Sequence, residues 1–207
     1  AYISDKVRFR IRYYAEFRDG VAVDDIELFG VKPLTTSFSW TTSAPINVYT
    51  DAATTIPYNE TSGATTVYMN PSLDQKEATA SWTINASATL TNGTSTSGTV
   101  TIENKNRVWN DPSDNWNSSI WKPIQAVPTI DECVYIKTPV QLGAGIQGYA
   151  KEIFVEPTGK LTINSNAALT VQNAFVNKGN AVNVVVESDG NLIQVNENPT
   201  INSGSIT

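Results

Sequence analysis

Residues 155–161 read VEPTGKL, and 31 positions further on residues 186–192 read VESDGNL. A second spacing, of 23 positions, relates residues 160–163 to residues 183–186. Both stretches contain short runs that are apolar at alternate positions and are separated by Gly or Asn, which is typical of short strands joined by turns. The spacings of 31 and 23 residues differ, but they are compatible if each corresponds to a number of short strands and the coils differ in length. The region therefore predicts a β-helix or solenoid.

Composition extends the all-β prediction to the rest of the chain and excludes several kinds of site. Only 16% of the 207 residues are charged, the net charge is −6 and there is no His. Without His the chain lacks the commonest general base and most zinc sites. Its single Cys excludes an internal disulfide or a cysteine cluster. The acidic balance disfavours nucleic-acid binding, and no apolar run reaches the ~20 residues of a membrane span.

Three segments are predicted, with boundaries at 1–30, 31–105 and 106–207. In the first, Val7, Phe9 and Ile11 alternate with arginines, as in a half-buried strand. Two strands cannot form a stable sheet alone, so we expect this segment to belong to a larger domain. The second segment consists of short strands and turns and predicts a small sandwich with Trp40 and Trp82 as core anchors.

The third segment begins with a tryptophan cluster and continues into the repetitive region. Its last residues, 201–207, are expected to begin another coil. A solenoid needs a polar cap on its terminal repeat, and none is visible here. We therefore expect segment 106–207 to be a tryptophan-rich cap followed by a truncated β-helical region.

The segments also carry motifs in a fixed order. These are 7–11 with 21–28 (VAVDDIEL), 48–53 (VYTDAA) with 66–71 (TVYMNP), and 108–110 (VWN) with 114–116 (DNW). In this order they resemble large multidomain, adhesin-like cell-surface proteins of Bacteroidota that are secreted by the type IX secretion system. The resemblance implies closing strands of a MAM or concanavalin-like jelly roll, then an Ig-like β-sandwich, then the start of a right-handed β-helix.

The same resemblance implies a function and a location. It describes a non-catalytic structural or adhesive segment of a large secreted protein at the extracellular cell surface. The implied partners are secretion or outer-membrane surface machinery, or neighbouring modules of the same chain, with glycans as further candidates. The alternative from another class is a carbohydrate-binding module assisted by calcium, and the third hypothesis is a β-helix polysaccharide lyase or hydrolase.

Asp24 and Asp25 are the candidate metal ligands, because they interrupt the alternation of their strand. Carboxylates at a jelly-roll strand suit calcium, the one candidate cofactor, which takes six to eight oxygen ligands. The alternative is a hydrogen-bonded carboxylate or a bulge at a sheet edge.

Trp109, Trp116 and Trp121 are the candidate ligand-binding residues. Sugars present C–H faces to aromatic rings, so three nearby indoles suit a carbohydrate platform. The competing interpretation is a packed cap that closes the end of the solenoid, and the sequence favours this cap.

No catalytic residues are predicted. Asp131 and Glu132 are adjacent, so on a strand they point to opposite faces and cannot share a site. Cys133 is expected to be a small buried apolar side chain. The remaining charges of the coil region are scattered, without the grouping that an acid and base pair needs.

Overall fold

The computed structural model describes residues 35–91, 93–196 and 202–206. Within these ranges the chain forms sixteen strands, one α-helix and two short 3-10 helices, which confirms the all-β class. None of the described helices has the length and hydropathy needed to span a lipid bilayer. The predicted segment 1–30 lies outside the described residues.

The chain divides into two compact units. The described part of the first comprises residues 35–75 and 79–104, with residue 92 excepted. The described part of the second comprises residues 76–78, 105–196 and 202–206.

The strands of the first unit form a three-stranded sheet, sheet A, and a two-stranded sheet, sheet B, both antiparallel. They are β1 (Thr35–Thr42), β2 (Val48–Tyr49), β3 (Tyr68–Met69), β4 (Ser81–Leu90) and β5 (Ser95–Glu103). The larger sheet has the order β1-β4-β5. Trp40 and Trp82, the predicted anchors, are both buried in one core to which the two sheets contribute. Strand β4 alternates between buried and half-buried positions, as a strand with one face on a core should.

A helix that the strand pattern did not predict, α1 (Leu73–Ala78), follows β3. It begins at Ser72, whose hydroxyl accepts a hydrogen bond from the Gln75 backbone N–H. The Gln75 side chain in turn accepts from the Ser72 N–H at 2.9 Å. This reciprocal pair is a capping box, and it satisfies two backbone donors at the start of the helix.

The loop after β2 is organised by one carboxylate. Asp51 accepts hydrogen bonds from the backbone N–H groups of Thr55 and Ile56, and from the Thr55 hydroxyl. The Ile56 N–H lies 2.7 Å from Asp51 Oδ1. These donors, with the Ile56 bond the largest contribution, hold the pKa of Asp51 below its ordinary value. They favour the ionised form because each donates to it.

The lowered pKa of Asp51 predicts that this carboxylate contributes to the pH dependence of the first unit's stability at acid pH. A carboxylate whose pKa is lower in the folded state contributes stability above its unfolded pKa of 3.8, and this contribution is lost as the pH falls through the folded value. Asp51→Asn keeps an acceptor oxygen but cannot titrate. We expect its loss of stability below about pH 4 to be smaller than that of the wild type, as urea unfolding at a series of pH values would measure. Parallel acid profiles for the two proteins would contradict the prediction.

The strands of the second unit are short and pair in parallel into three sheets. Sheet C contains β6 (Asn106–Trp109), β8 (Cys133–Ile136), β11 (Glu152–Val155) and β14 (Phe175–Asn177). Sheet D contains β7 (Asp114–Asn115), β9 (Pro139–Leu142), β12 (Lys160–Ile163) and β15 (Val184–Val186). Sheet E contains β10 (Gln147–Ala150), β13 (Ala168–Val171) and β16 (Asn191–Gln194). From β8 to β16 the chain passes through the sheets in the order C, D, E three times.

The strand register confirms the 23-residue spacing. Leu161 pairs with Val184 in sheet D, and Leu169 pairs with Leu192 in sheet E. The 31-residue spacing, by contrast, relates two corners and not two stacked strands. Residues 156–159 join sheets C and D, whereas residues 187–190 join sheets D and E. What repeats is the turn hydrogen bond, because the N–H of the fourth residue donates to the first carbonyl in both turns, at 2.8 and 2.9 Å. The third residue has a positive φ only in the second turn, at Asp189.

The D–E corners share one backbone conformation. Each has four residues, and the third has a positive φ: Gly145 at 77°, Asn166 at 61° and Asp189 at 62°. Gly, Asn and Asp are the residues that tolerate this left-handed region. The three corners are also linked directly, since the Gly145 N–H donates to the Asn166 carbonyl and the Asn166 N–H to that of Asp189.

Side chains from all three sheets meet in one core. Its fully buried members include Ile136 of sheet C, Leu161 of sheet D and Leu169 of sheet E. Residues 202–206 continue the stacking, because Ser203 forms a parallel bridge with Val176 of β14. This bridge has the parallel direction that another coil would require, and the further coil itself stays a prediction.

Candidate functional site

The predicted calcium ligands cannot be placed. Asp24 and Asp25 lie outside the described residues. Within the described part of the chain, no group of three or more His, Cys, Asp or Glu side chains is arranged to hold a metal ion.

The three predicted ligand-binding tryptophans do come together. Trp109 ends β6, Trp116 follows β7, and Trp121 lies five residues later. The Trp121 ring centroid is 4.8 Å from that of Trp109 and 4.9 Å from that of Trp116, with tilted and edge-on geometry. Two of the indole N–H groups donate to carbonyls, Trp109 to Pro139 at 2.9 Å and Trp121 to Trp116 at 2.8 Å.

The cluster lies in the interior of the second unit. All three tryptophans have 0% exposed surface and belong to the core. Gly148 of β10 makes room for them, because a Cβ there would lie 3.2 Å from the Trp116 ring and 2.7 Å from Leu142. A ring without exposed surface offers no face to a sugar, so the burial argues against the carbohydrate platform. It favours the packed-cap interpretation.

A buried ion pair, which sequence reasoning missed, lies near the start of the second unit. Arg107 of β6 and Glu132, just before β8, are 5% and 7% exposed, and an Arg107 N–H donates to a Glu132 carboxylate oxygen. The other carboxylate oxygen accepts from the Thr129 N–H at 2.9 Å. Burial lowers the pKa of Arg107, and the attraction and hydrogen bond of Glu132 oppose that shift. The pair ties two chain segments together, since a buried charge is costly without its partner.

Two sequence predictions concern residues next to this ion pair, and the burial of these residues agrees with both. Glu132 is buried whereas Asp131 is exposed, so the two carboxylates do not share a site. Cys133 is fully buried, as expected. Its thiol lies 3.8 Å from a carboxylate oxygen of Glu152, which is also buried.

The outward face of sheet E is an accessible surface of the second unit with a regular arrangement of side chains. Register places Tyr149, Thr170 and Ile193 side by side on β10, β13 and β16, and Tyr149 and Ile193 are 45% and 46% exposed. Neighbouring strands lie 4.7–4.9 Å apart, so these side chains form a row across the sheet. The other outward positions of these strands are also uncharged, namely Gln147, Ala168 and Asn191. We name this surface the sheet E face.

Comparisons with known proteins give one match. Residues 108–207, which are 100 of the 207 residues, match the model of a family described as a domain of unknown function (DUF8693). The matched region begins within β6 and includes the tryptophan cluster and the later strands of all three sheets. No curated protein and no solved structure matches the chain.

Proposed function

We propose that the chain is a non-catalytic structural and adhesive segment of a large secreted cell-surface protein. In this proposal the first unit is an Ig-like sandwich and the second is the start of a right-handed β-helix. The segment's task is mechanical, since serial β modules hold a binding region away from the cell.

One observation carries this proposal: three passes of chain stack in register around a continuous core. Each strand from β8 to β16 pairs in parallel with the equivalent strand of a neighbouring pass. In such an array each repeat contacts only its neighbours, so further repeats would lengthen the stack along one axis. Sheet C is buried on both faces, which excludes water and proteases from its backbone.

The route of export is proposed from the resemblance to type IX secretion substrates of Bacteroidota. Secretion and outer-membrane surface machinery, or neighbouring modules, are then its partners. Antibodies against the chain should label intact cells of the organism that makes it, and inactivation of the secretion machinery should abolish the label. Protein found only inside unlysed wild-type cells would overturn the proposal. Turnover of an acidic polysaccharide by the purified chain would overturn its non-catalytic part.

The sheet E face favours a second candidate function, the binding of a neutral glycan. An exposed tyrosine ring can pack against the C–H face of a sugar, and the adjacent amides and hydroxyl of Gln147, Asn191 and Thr170 offer hydrogen bonds. The absence of charge from the six outward positions suits an uncharged ligand better than an acidic one. This site differs from the buried tryptophans.

The glycan candidate predicts the behaviour of Tyr149→Ala. If a neutral oligosaccharide binds, loss of the ring should weaken binding about tenfold, the effect of removing roughly 1.4 kcal/mol of aromatic contact. An array of neutral and acidic glycans measures this, with Ile56→Ala, which truncates an exposed side chain of the first unit, as the control. Binding that survives Tyr149→Ala unchanged would exclude the sheet E face as the site.

A further inference from the structure

Three side chains of the second unit form a cluster with the composition of an amide-forming site. The Lys137 ammonium donates to one carboxylate oxygen of Glu77 at 2.7 Å, and the Asn110 side-chain amide donates to the other at 2.8 Å. One carboxylate therefore bridges an amine and a carboxamide. All three residues belong to the second unit.

The parallel register explains why Lys137 and Asn110 are neighbours. Trp109 pairs with Ile136, and the Lys137 N–H donates to the Trp109 carbonyl at 2.9 Å. Asn110 follows Trp109, and Lys137 follows Ile136. Because the two segments run in parallel and in register, these side chains extend toward the same side. Glu77 then contacts both from α1.

The cluster is shielded on the side of sheet C. The Lys137 and Glu77 side chains are 23% and 22% exposed. Tyr135 points to the same side as Lys137, two residues before it, and stacks on Phe154 with centroids 4.8 Å apart. Both rings are 4% exposed. Proton transfer from the ammonium to the carboxylate turns two charges into two neutral groups, and the 2.7 Å contact between Lys137 and Glu77 gives that proton a direct path. Asn110, by contrast, is exposed, which gives a leaving group access to water.

We propose that Lys137 and Asn110 form an intramolecular isopeptide bond with Glu77 as the proton carrier. Glu77 accepts a proton from the ammonium, and the neutral Nζ attacks Cγ of Asn110, forming the C–N bond. Glu77 then delivers this proton to Nδ2, the Cγ–Nδ2 bond breaks and ammonia leaves, and the ammonia takes up the second proton that Nζ releases as the amide forms. Of the three ammonium protons, one stays on the new amide and two leave with Nδ2 as ammonium, so no oxidant is needed. Fixed proximity replaces the bimolecular encounter, and the carboxylate is a general base and then a general acid.

The bond would covalently join the segment after β6 to the segment after β8, two neighbouring strands of sheet C. This inference goes beyond the proposed function and does not depend on secretion or adhesion. It assigns a modification site, and Glu77 is its catalytic residue because it contacts both reacting groups.

Intact-mass spectrometry of the folded full chain tests the proposal. The expected mass is that of the sequence minus one ammonia, and proteolysis should yield a branched peptide in which Lys137 is joined to Asn110. Lys137→Arg, which keeps the charge, and Glu77→Gln, which keeps the shape, should both show the full sequence mass. Circular dichroism verifies that the variants fold.

A second ion pair of the same unit supplies the matched control. Lys178 lies 2.8 Å from Glu156, and Lys178→Arg should leave the ammonia loss unchanged. Separate, linear peptides for Asn110 and Lys137 in the wild type would overturn the proposal. So would an ammonia loss that persists in Lys137→Arg, since it would then come from another residue.

Discussion

Gly159→Ala is expected to destabilise the second unit by about 3 kcal/mol or more, an effect in the range of backbone clashes and overpacked cores. A Cβ at this position would overlap the carbonyl oxygen of Ile136 and lie 2.8 Å from its carbonyl carbon. That oxygen also accepts the Glu156 N–H at 2.9 Å, so it cannot move without breaking a stacking hydrogen bond. Urea unfolding, with hydrogen exchange to identify the second unit, measures the change.

Gly143→Ala is the matched control for Gly159→Ala. It lies at a D–E corner, its φ is not positive, and an added Cβ would meet only Ile146 Cγ1 at 3.7 Å, an ordinary contact. We expect a change within about 1 kcal/mol, in either direction. Equal destabilisation by the two substitutions would show that the close approach at Ile136 is not what selects glycine.

Trp121→Ala should lower the free energy of unfolding of the second unit by about 3–5 kcal/mol, the range for large-to-small core substitutions. The ring is fully buried and packs against both other tryptophans of the cluster. Its removal leaves a cavity, and the Trp116 carbonyl loses its donor. The melting temperature and urea midpoint report the loss.

Tyr149→Ala is the stability control for Trp121→Ala, because it also removes an aromatic ring but from an exposed position. A change within about 0.5 kcal/mol is expected there. If Trp121→Ala were equally mild, the tryptophan cluster would not be part of the core, and the sugar platform would need to be considered again.

The stacked sheets were predictable because their signal is local. Alternation of apolar residues and the 23-residue spacing together predict strands of β12, β13, β15 and β16 that pair in register. The 31-residue spacing misleads as a stacking period because chemically similar turns occur at two different corners. Helix α1 was not predicted because the alternation that indicates strands does not reveal a short helix. Its sequence signal is the capping box formed by Ser72 and Gln75.

The candidate sites were less predictable because they depend on contacts between distant residues. Arg107 and Glu132 are 25 positions apart, and nothing in either local pattern indicates that they pair. The cluster of Glu77, Asn110 and Lys137 spans 60 positions and depends on a helix that was not predicted. The tryptophans were correctly expected to cluster, but spacing alone could not show whether the rings faced inward or outward.

The lengths of the corners define where this chain tolerates insertions and deletions. The three D–E corners have four residues each (143–146, 164–167 and 187–190). The C–D corners vary in length: the one between β6 and β7 has four residues (110–113), and the later ones have two (137–138), four (156–159) and six (178–183). Strands keep their register throughout. Evolution can therefore lengthen the C–D side without shifting any strand, and foreign peptides grafted there would be displayed along a single edge. The linked left-handed residues of the D–E side are the part of the scaffold that such engineering must preserve.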